Sequence, residues 1–147
     1  MIYIGADHGG YKLKEHLKKI LAKRKLDFKD MGALTFKPDD DYPDYAAKVA
    51  KQVSKNPLGN LGILICRSGQ GVCIVANKFK GVRAALVWNT SEAKASRNDD
   101  MSNVLCLPSD YVNSQAAEKI MEVWIDTKFS TESRHMRRVK KISALEN

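Results

Sequence analysis

The stretch CRSGQG, residues 66–71, ends an apolar run and opens into glycines. A cysteine at such a point has three interpretations: an inert core thiol, half of a redox or metal pair, or a base beside a cradle for an anion. Glycines let the backbone approach an oxyanion, and the first free N–H groups of a following helix point toward it. Helix N-termini and neighbouring cations also favour the thiolate form of a cysteine. Cys66 is therefore a candidate base, with a buried thiol beside a structural turn as the alternative.

Two further polar stretches could contribute to a site. ADHGG, residues 6–10, places Asp7 and His8 beside a glycine turn, and we predict that it is functional rather than core. DDDYP, residues 39–43, could be an acidic loop, a metal loop or a clamp for sugar hydroxyls; metal is the weakest of the three because no histidine accompanies it. His135 lies among arginines and could join an anion site. Cys73 and Cys106 lie inside regular apolar patterns, which predicts core positions.

Composition is that of an ordinary globular protein. The chain has 147 residues, 44% hydrophobic and 29% charged, and no linker-like stretch, so we expect a single domain over 1–147. Its net charge of +8 suits an anionic partner: nucleic acid, a phosphorylated metabolite or a membrane surface. Three widely spaced cysteines without a Cys-x-x-Cys pair indicate free thiols in a reducing cytoplasm. We expect neither a signal peptide nor a membrane span.

The hydrophobic pattern alternates strands with helices along the chain. Apolar runs predict strands at 2–6, near 26–31, and at 61–66, 82–88 and 103–107, with helices between and after them. Helical crossovers of this length imply a parallel sheet with helices on both faces, and ligands of such sheets bind beyond the carboxyl ends of the strands. Polar residues fall at these ends: Asp7, His8, Asp41, Tyr42, Cys66–Ser68, Trp88, Asn89 and Ser109. The pattern therefore predicts a small-molecule site there.

Together these segments resemble the ribose-5-phosphate isomerase B family, which includes the galactose-6-phosphate isomerase subunits. The matching pieces occur in the family's order and cover nearly the whole chain: IGADHGGYKLKEHL, DYPDYA, GILICRSGQGVCIVANKFKGVRAAL, SRNDDMSNVL and SRHMRRV. The resemblance implies an α/β fold with a doubly wound, Rossmann-like five-stranded parallel sheet. It also implies a homodimer or dimer of dimers with active sites shared between subunits, and no metal or cofactor. The family interconverts aldose and ketose phosphates through an enediolate.

The resemblance further implies roles for individual residues. Cys66 matches the base, Ser68 matches the residue that shuttles a proton between hydroxyl oxygens, and the amides around Gly69–Gly71 match the oxyanion loop. The remaining matches are substrate contacts, the last two of them with phosphate: Asp7, His8, Tyr42, Arg134 and Arg138.

The chain departs from the family pattern at four places. Arg67 stands where the family usually has glycine, and Arg137 is a cation where the family need not have one. Asp99 and Asp100 replace a histidine and asparagine, of which the histidine opens the sugar ring. Residues 108–110 read Pro-Ser-Asp in place of Gly-x-Arg, which removes a phosphate-binding arginine. We expect Asp99 to act in catalysis and Arg67, Asp100 and Arg137 to contact substrate.

The expected function is aldose–ketose isomerisation of a sugar phosphate, with ribose 5-phosphate and ribulose 5-phosphate as the default pair. One alternative is a catalytically altered relative that binds a sugar phosphate or serves as the partner of an active subunit. An RNA-binding module is suggested only by the charge, and the chain lacks the aromatic stacking motifs of such modules. We therefore expect a small-molecule partner, no nucleic acid and no membrane.

Overall fold

The computed structural model describes residues 1–146. Five strands form one parallel sheet in the order β2-β1-β3-β5-β4. The strands are β1 (Ile2–Ala6), β2 (Phe28–Asp30), β3 (Leu61–Cys66), β4 (Ala84–Leu86) and β5 (Val104–Pro108). The helices are α1 (Tyr11–Lys23), α2 (Tyr42–Lys55), α3 (Gln70–Ala76), α4 (Thr90–Asn98), α5 (Ser114–Asp126) and α6 (Ser133–Ser143). The predicted fold class, a doubly wound parallel sheet, is confirmed.

Side chains of the central strands alternate between two apolar layers because successive residues of a strand point to opposite faces. Ile63 and Ile65 pack in the layer that contains Leu17 of α1 and Trp124 of α5. Leu64 and Cys66 pack in the other layer, with α2 and α3. The fully buried central strand thus needs a helix layer on each face.

The strand predicted at 82–88 is shorter and less buried than expected. Only Ala84–Leu86 forms β4, all three residues are half-buried, and Trp88 is 55% exposed. The physical reason is position, since β4 pairs with β5 alone and forms one edge of the sheet. An apolar run does not distinguish an edge strand from a central one.

The chain reverses its direction of travel across the sheet between β1 and β3. From β1 it moves to β2 on one side, and it then returns to β3 on the other side of β1. This topological switch point leaves a crevice outside the carboxyl ends of β1 and β3, where open α/β sheets bind ligands. Residues 7–10 and 66–69 lie at those two ends.

Among the residues from 1 to 146, no helix has both the length and the apolar character needed to span a bilayer.

Candidate active site

Three strand ends are tied together at the carboxyl edge of the sheet. The Ser109 hydroxyl, just after β5, lies 2.9 Å from the Gly9 carbonyl oxygen and 3.1 Å from that of Cys66. The backbone N–H groups of Ser109 and Asp110 donate to the carbonyls of Cys66 and Arg67, each at 3.0 Å. The loops after β1, β3 and β5 are therefore held in fixed positions relative to one another.

Cys66 is the last residue of β3 and is only 5% exposed. The backbone N–H of Gly69 donates to its Sγ at 3.1 Å. Gly69 has φ of +71°, a left-handed conformation that glycine adopts without strain, and it caps α3. The Gly69 amide thus fixes the position of the sulfur beside the first turn of α3.

The start of α3 lies directly beyond Cys66. Ser68 is half-buried, and its Oγ is 3.4 Å from the Gln70 amide nitrogen. Amides in the first turn of a helix have no carbonyl one turn earlier to donate to, so they remain available to an anion. The Tyr42 ring covers this turn so closely that a Cβ on Gly71 would come within 2.6 Å of Tyr42 Cζ. The expected group Cys66, Ser68, Gly69, Gly71 and Tyr42 is thus brought together.

Asp7 shapes the turn after β1. Asp7 is 5% exposed, and its Oδ1 accepts the Gly10 amide N–H at 3.1 Å. Burial raises the pKa of Asp7, which outweighs the opposing effects of the Gly10 hydrogen bond and the neighbouring His8. A carboxyl in this position both fixes the turn and presents a polar group at the switch point.

His8 is paired with Asp40, from the loop between β2 and α2. Asp40 Oδ1 accepts the His8 backbone N–H at 2.8 Å and lies 2.9 Å from His8 Nδ1. This hydrogen bond raises the pKa of His8, more than burial lowers it. Burial by itself raises the pKa of Asp40, but hydrogen bonding to His8 leaves it below its usual value. Both shifts favour an imidazolium–carboxylate pair.

A small cavity opens beside this pair at the carboxyl edge. It is lined by His8, Gly9, Lys12, Phe36, Arg67 and Asp110. Arg67 packs over Gly9, where a Cβ would come within 2.6 Å of Arg67 Cγ. Lys12 and Arg67 are exposed cations on two sides of the cavity, opposed by one carboxylate, Asp110. The cavity thus combines excess positive charge with a closely approaching backbone, as an anion site requires.

The other expected site residues lie at the opposite edge of the sheet. Asp99 and Asp100 follow α4, which runs back from the carboxyl ends of the strands, and Asp100 lines a cavity with Arg83, at the start of β4. His135 of α6 is 5% exposed, with Nδ1 at 3.5 Å from Asp99 Oδ1. The three arginines of α6 are exposed: Arg134, whose Nε lies 2.7 Å from Glu132 Oε2, Arg137 and Arg138.

One chain therefore does not assemble all of the expected site. A five- or six-residue strand spans about 17–20 Å, and this length separates the Cys66 end from the Asp99 end. Asp99, Asp100 and the arginines of α6 form an amino-edge group, whereas the residues around Cys66 and His8 form a carboxyl-edge group. A ligand of pentose size cannot contact both groups of the same chain.

The other two cysteines contribute to packing. Cys106 is fully buried, as predicted, but Cys73 is only half-buried, with its thiol donating to the Ala84 carbonyl at 3.4 Å. A hydrogen bond with Cys106 lowers the pKa of Cys73, whereas burial raises that of Cys106. Within residues 1–146, no three side chains of His, Cys, Asp or Glu converge as metal ligands would.

Sequence reasoning missed two residues of the carboxyl-edge group. The sequence pattern presents Asp40 only as part of an acidic loop, and its pairing with His8 spans 32 positions. Lys12 lies in the first turn of α1, where it resembles the other surface lysines of that helix. The available signal for Lys12 was its place two residues after the glycine turn, which puts it at the carboxyl edge.

The sequence matches the ribose/galactose isomerase family over residues 2–142. A Mycoplasma pneumoniae protein named as a probable ribose-5-phosphate isomerase B is 45% identical over 145 residues, 99% of this chain and 94% of that protein. The structure resembles that of Mycoplasma genitalium ribose-5-phosphate isomerase B with bound ribulose 5-phosphate, with a TM-score of 0.96 and 43% identity over 99% of this chain and 95% of that one. The Clostridium thermocellum ribose-5-phosphate isomerase B gives a TM-score of 0.93 at 39% identity, covering 99% and 96%.

Proposed function

We propose a reaction from one premise: this chain belongs to the ribose/galactose isomerase family and is a sugar-phosphate isomerase. The proposed substrate pair is ribose 5-phosphate and ribulose 5-phosphate, with Cys66 as the base. The observation that carries this assignment is the buried Cys66 thiol with the Gly69 amide 3.1 Å from its sulfur, at the switch point of the sheet. The names of the similar proteins supply the substrate pair.

In the proposed reaction the Cys66 thiolate removes the proton from carbon 2 of the open-chain aldose. The C–H electrons form the C1–C2 double bond, and the carbonyl oxygen on carbon 1 becomes an enediolate oxygen. Ser68 Oγ passes a proton from the oxygen on carbon 2 to the oxygen on carbon 1. The Cys66 thiol then returns its proton to carbon 1, which yields the ketose. The steps balance without an oxidant or reductant.

The first turn of α3 is proposed to stabilise the enediolate. The amides of residues 70 and 71 follow the left-handed Gly69, and the Gln70 N–H lies 3.4 Å from Ser68 Oγ; in the proposal both amides donate to the enediolate oxygens. An oxyanion donor of this kind contributes about 3–4 kcal/mol to lowering the barrier. Tyr42 lies over the same turn and would exclude water from one side of the intermediate.

The phosphate is proposed to bind in the cavity between His8 and Arg67. Asp110 occupies the place of the family's usual arginine, and its N–H donates to the Arg67 carbonyl, so the two residues are neighbours. An arginine at position 67 therefore supplies the cation from the loop after β3, where the family supplies it from the loop after β5. Asp7, beside His8, is proposed to contact the sugar hydroxyls.

A second copy of the chain is proposed to complete each site with its amino-edge group. Arg134, Arg137 and Arg138 are exposed and would reach the phosphate, and Asp99 and Asp100 would reach the sugar. Large apolar side chains are exposed near both edges, as expected of surfaces that meet in a dimer: Tyr42, Trp88, Tyr111, Met136 and Ile142. Active sites shared in this way account for the distance between the two groups within one chain.

Asp99 is proposed to open the furanose ring, although less efficiently than a histidine would. Ring opening needs one proton removed from the anomeric hydroxyl and one delivered to the ring oxygen. Imidazole performs both steps near neutral pH, whereas a carboxylate accepts a proton readily but is a poor donor. This difference also favours the second candidate, a relative that binds a sugar phosphate or partners an active subunit.

To decide between an active isomerase and a relative that only binds sugar phosphates or partners an active subunit, the purified protein is incubated with a panel of five- and six-carbon aldose phosphates, and ketose formation is detected. Conversion of ribose 5-phosphate faster than of the hexose phosphates supports the proposal. Binding of sugar phosphates without conversion of any of them supports the second candidate and excludes the first.

A further inference from the structure

Asp40 contacts His8 in two places, at its backbone N–H and at its ring. One carboxylate oxygen, Oδ1, accepts from the His8 backbone and also contacts the His8 ring at Nδ1. Backbone and side chain of His8 are therefore both fixed from the loop before α2. With Nδ1 on Asp40, Nε2 is the ring nitrogen left to meet a ligand, and His8 lines the cavity that contains Arg67.

The Asp40 side chain is more buried than is usual for an acidic residue in a loop. It is 6% exposed, and the His8 ring is 28% exposed. Its second oxygen, Oδ2, is buried and accepts no hydrogen bond of ordinary geometry among residues 1–146, although the Tyr45 hydroxyl lies close to the carboxylate. Desolvating a carboxylate is costly unless a charged or hydrogen-bonded partner offsets it. A protonated His8 is the charged partner that offsets this cost, and the Tyr45 hydroxyl is a neutral one.

We propose that Asp40 is a positioning residue that holds His8 as an imidazolium whose Nε2–H donates to the anionic group of the ligand. This inference deepens the proposed function, on which it rests for the identity of that anion as a sugar phosphate. In the neutral ring, a proton retained at Nδ1 by Asp40 would leave a lone pair at Nε2, facing the anion. Asp40 therefore makes protonation of His8 a condition for a favourable contact.

Some of the other charged groups around His8 favour its protonation and others oppose it. Asp7 precedes it, Lys12 of α1 and Arg67 after β3 face the same cavity, and Asp110 after β5 lies opposite. On α2, Tyr45 is a hydrogen-bond partner of Asp40, and Asp44 lies near Tyr45. The cations oppose protonation of His8, and the carboxylates support it. Hydrogen bonding to Asp40 is the largest influence on the pKa of His8 and raises it.

The test compares two variants that remove the same charge from adjacent positions. Asp40→Asn removes the carboxylate that contacts His8, and Asp39→Asn removes an exposed one. Nitrogen-15 NMR of the full chain, with His8 assigned through His8→Gln, reports the protonation of Nδ1 and the pKa of His8 without any ligand. Inorganic phosphate and ribose 5-phosphate are then titrated at pH 5.5 and 7.5.

The proposal predicts that His8 in the wild type keeps its proton at Nδ1 and titrates at a higher pH than in Asp40→Asn. Phosphate affinity at pH 7.5 should fall about tenfold in Asp40→Asn, the effect of a charged hydrogen bond, and the loss should shrink at pH 5.5. Asp39→Asn should match the wild type in each measurement.

Identical His8 titration in the wild type and Asp40→Asn overturns the proposal, as does an affinity loss of equal size at both pH values, which a merely structural role would produce. If phosphate binding follows this pattern but ribose 5-phosphate is not isomerised, Asp40 positions His8 as proposed and the proposed function is wrong.

Discussion

Replacing Cys66 by alanine separates a chemical role of this residue from a packing role. Cys66 is 5% exposed and packs with α2 and α3 in the apolar layer on one face of the sheet. Removing one buried sulfur costs about 1 kcal/mol of unfolding free energy, comparable to the loss of a buried methyl group. For a chain of this size, that cost lowers the melting temperature by about 3 °C. The folded state, typically stable by about 5–15 kcal/mol, remains fully populated at 25 °C.

Loss of the base has a much larger effect on turnover. A positioned general base contributes about 10²–10⁴-fold to the rate, or roughly 3–5 kcal/mol of barrier. We therefore expect kcat for ribose 5-phosphate to fall by two to four orders of magnitude in Cys66→Ala, while KM changes little. A coupled or colorimetric ketose assay beside a thermal melt measures both quantities.

Cys73→Ala is the matched control. Its thiol is half-buried on α3 and donates to a backbone carbonyl, so its removal should cost stability and leave kcat within about twofold. A thiol alkylator should inactivate the wild type, with protection by substrate. Undiminished turnover in Cys66→Ala, or equal losses in the two variants, refutes the assignment of Cys66 as the base.

Three other outcomes are expected. Arg138→Ala should raise KM about 10- to 100-fold, because a charged hydrogen bond to the substrate is lost. If two copies of the chain share each active site, mixing the Arg138→Ala and Cys66→Ala proteins should restore activity. No recovery of activity after subunit exchange contradicts a shared active site. Asp99→His should speed conversion of cyclic ribose 5-phosphate more than solvent deuterium exchange into the open-chain sugar; equal gains would show that Asp99 has no part in ring opening. Asp30→Asn should lower the melting temperature, because it removes the closer partner of the fully buried Lys14, 2.6 Å away, and leaves only the more exposed Glu15 at 3.0 Å. Burial alone raises the pKa of Asp30, but the hydrogen bonds from Lys14 and Lys18 leave this pKa below its usual value. The ionised Asp30 therefore stabilises the fold above its unfolded-state pKa, and this stabilisation is lost as pH falls through the folded-state pKa. A wild-type melting temperature that does not decline at acid pH would contradict this.

Most elements of the fold were predictable because every strand except β2 (Phe-Lys-Asp) is a short apolar run bounded by polar or glycine residues. The strands that end at Ala6 and Cys66 lie where the pattern predicted them, and parallel strands bring their carboxyl ends together. The edge position of β4 was not predictable, since strand order depends on which helices cover which face.

The sequence pattern also did not predict which residues of different loops contact one another. His8 and Asp40 are 32 residues apart, and nothing in DDDYP distinguishes the buried Asp40 from the exposed Asp39. The contact of Arg67 with Gly9 likewise depends on the turn after β1. The distance between Asp99 and Cys66 follows from the direction of α4, which the alternation of strands and helices already implied.

The most direct test of Cys66 catalysis is proton NMR of ribose 5-phosphate incubated in D2O with the wild type and with Cys66→Ala. The wild type should form ribulose 5-phosphate with deuterium at carbon 1, because the proton taken by Cys66 exchanges with solvent before it is returned. Cys66→Ala should show neither conversion nor deuterium over the same period. Formation of labelled ketose at equal rates by both proteins would contradict the role of Cys66 as the base, and its formation by neither would contradict the proposed reaction.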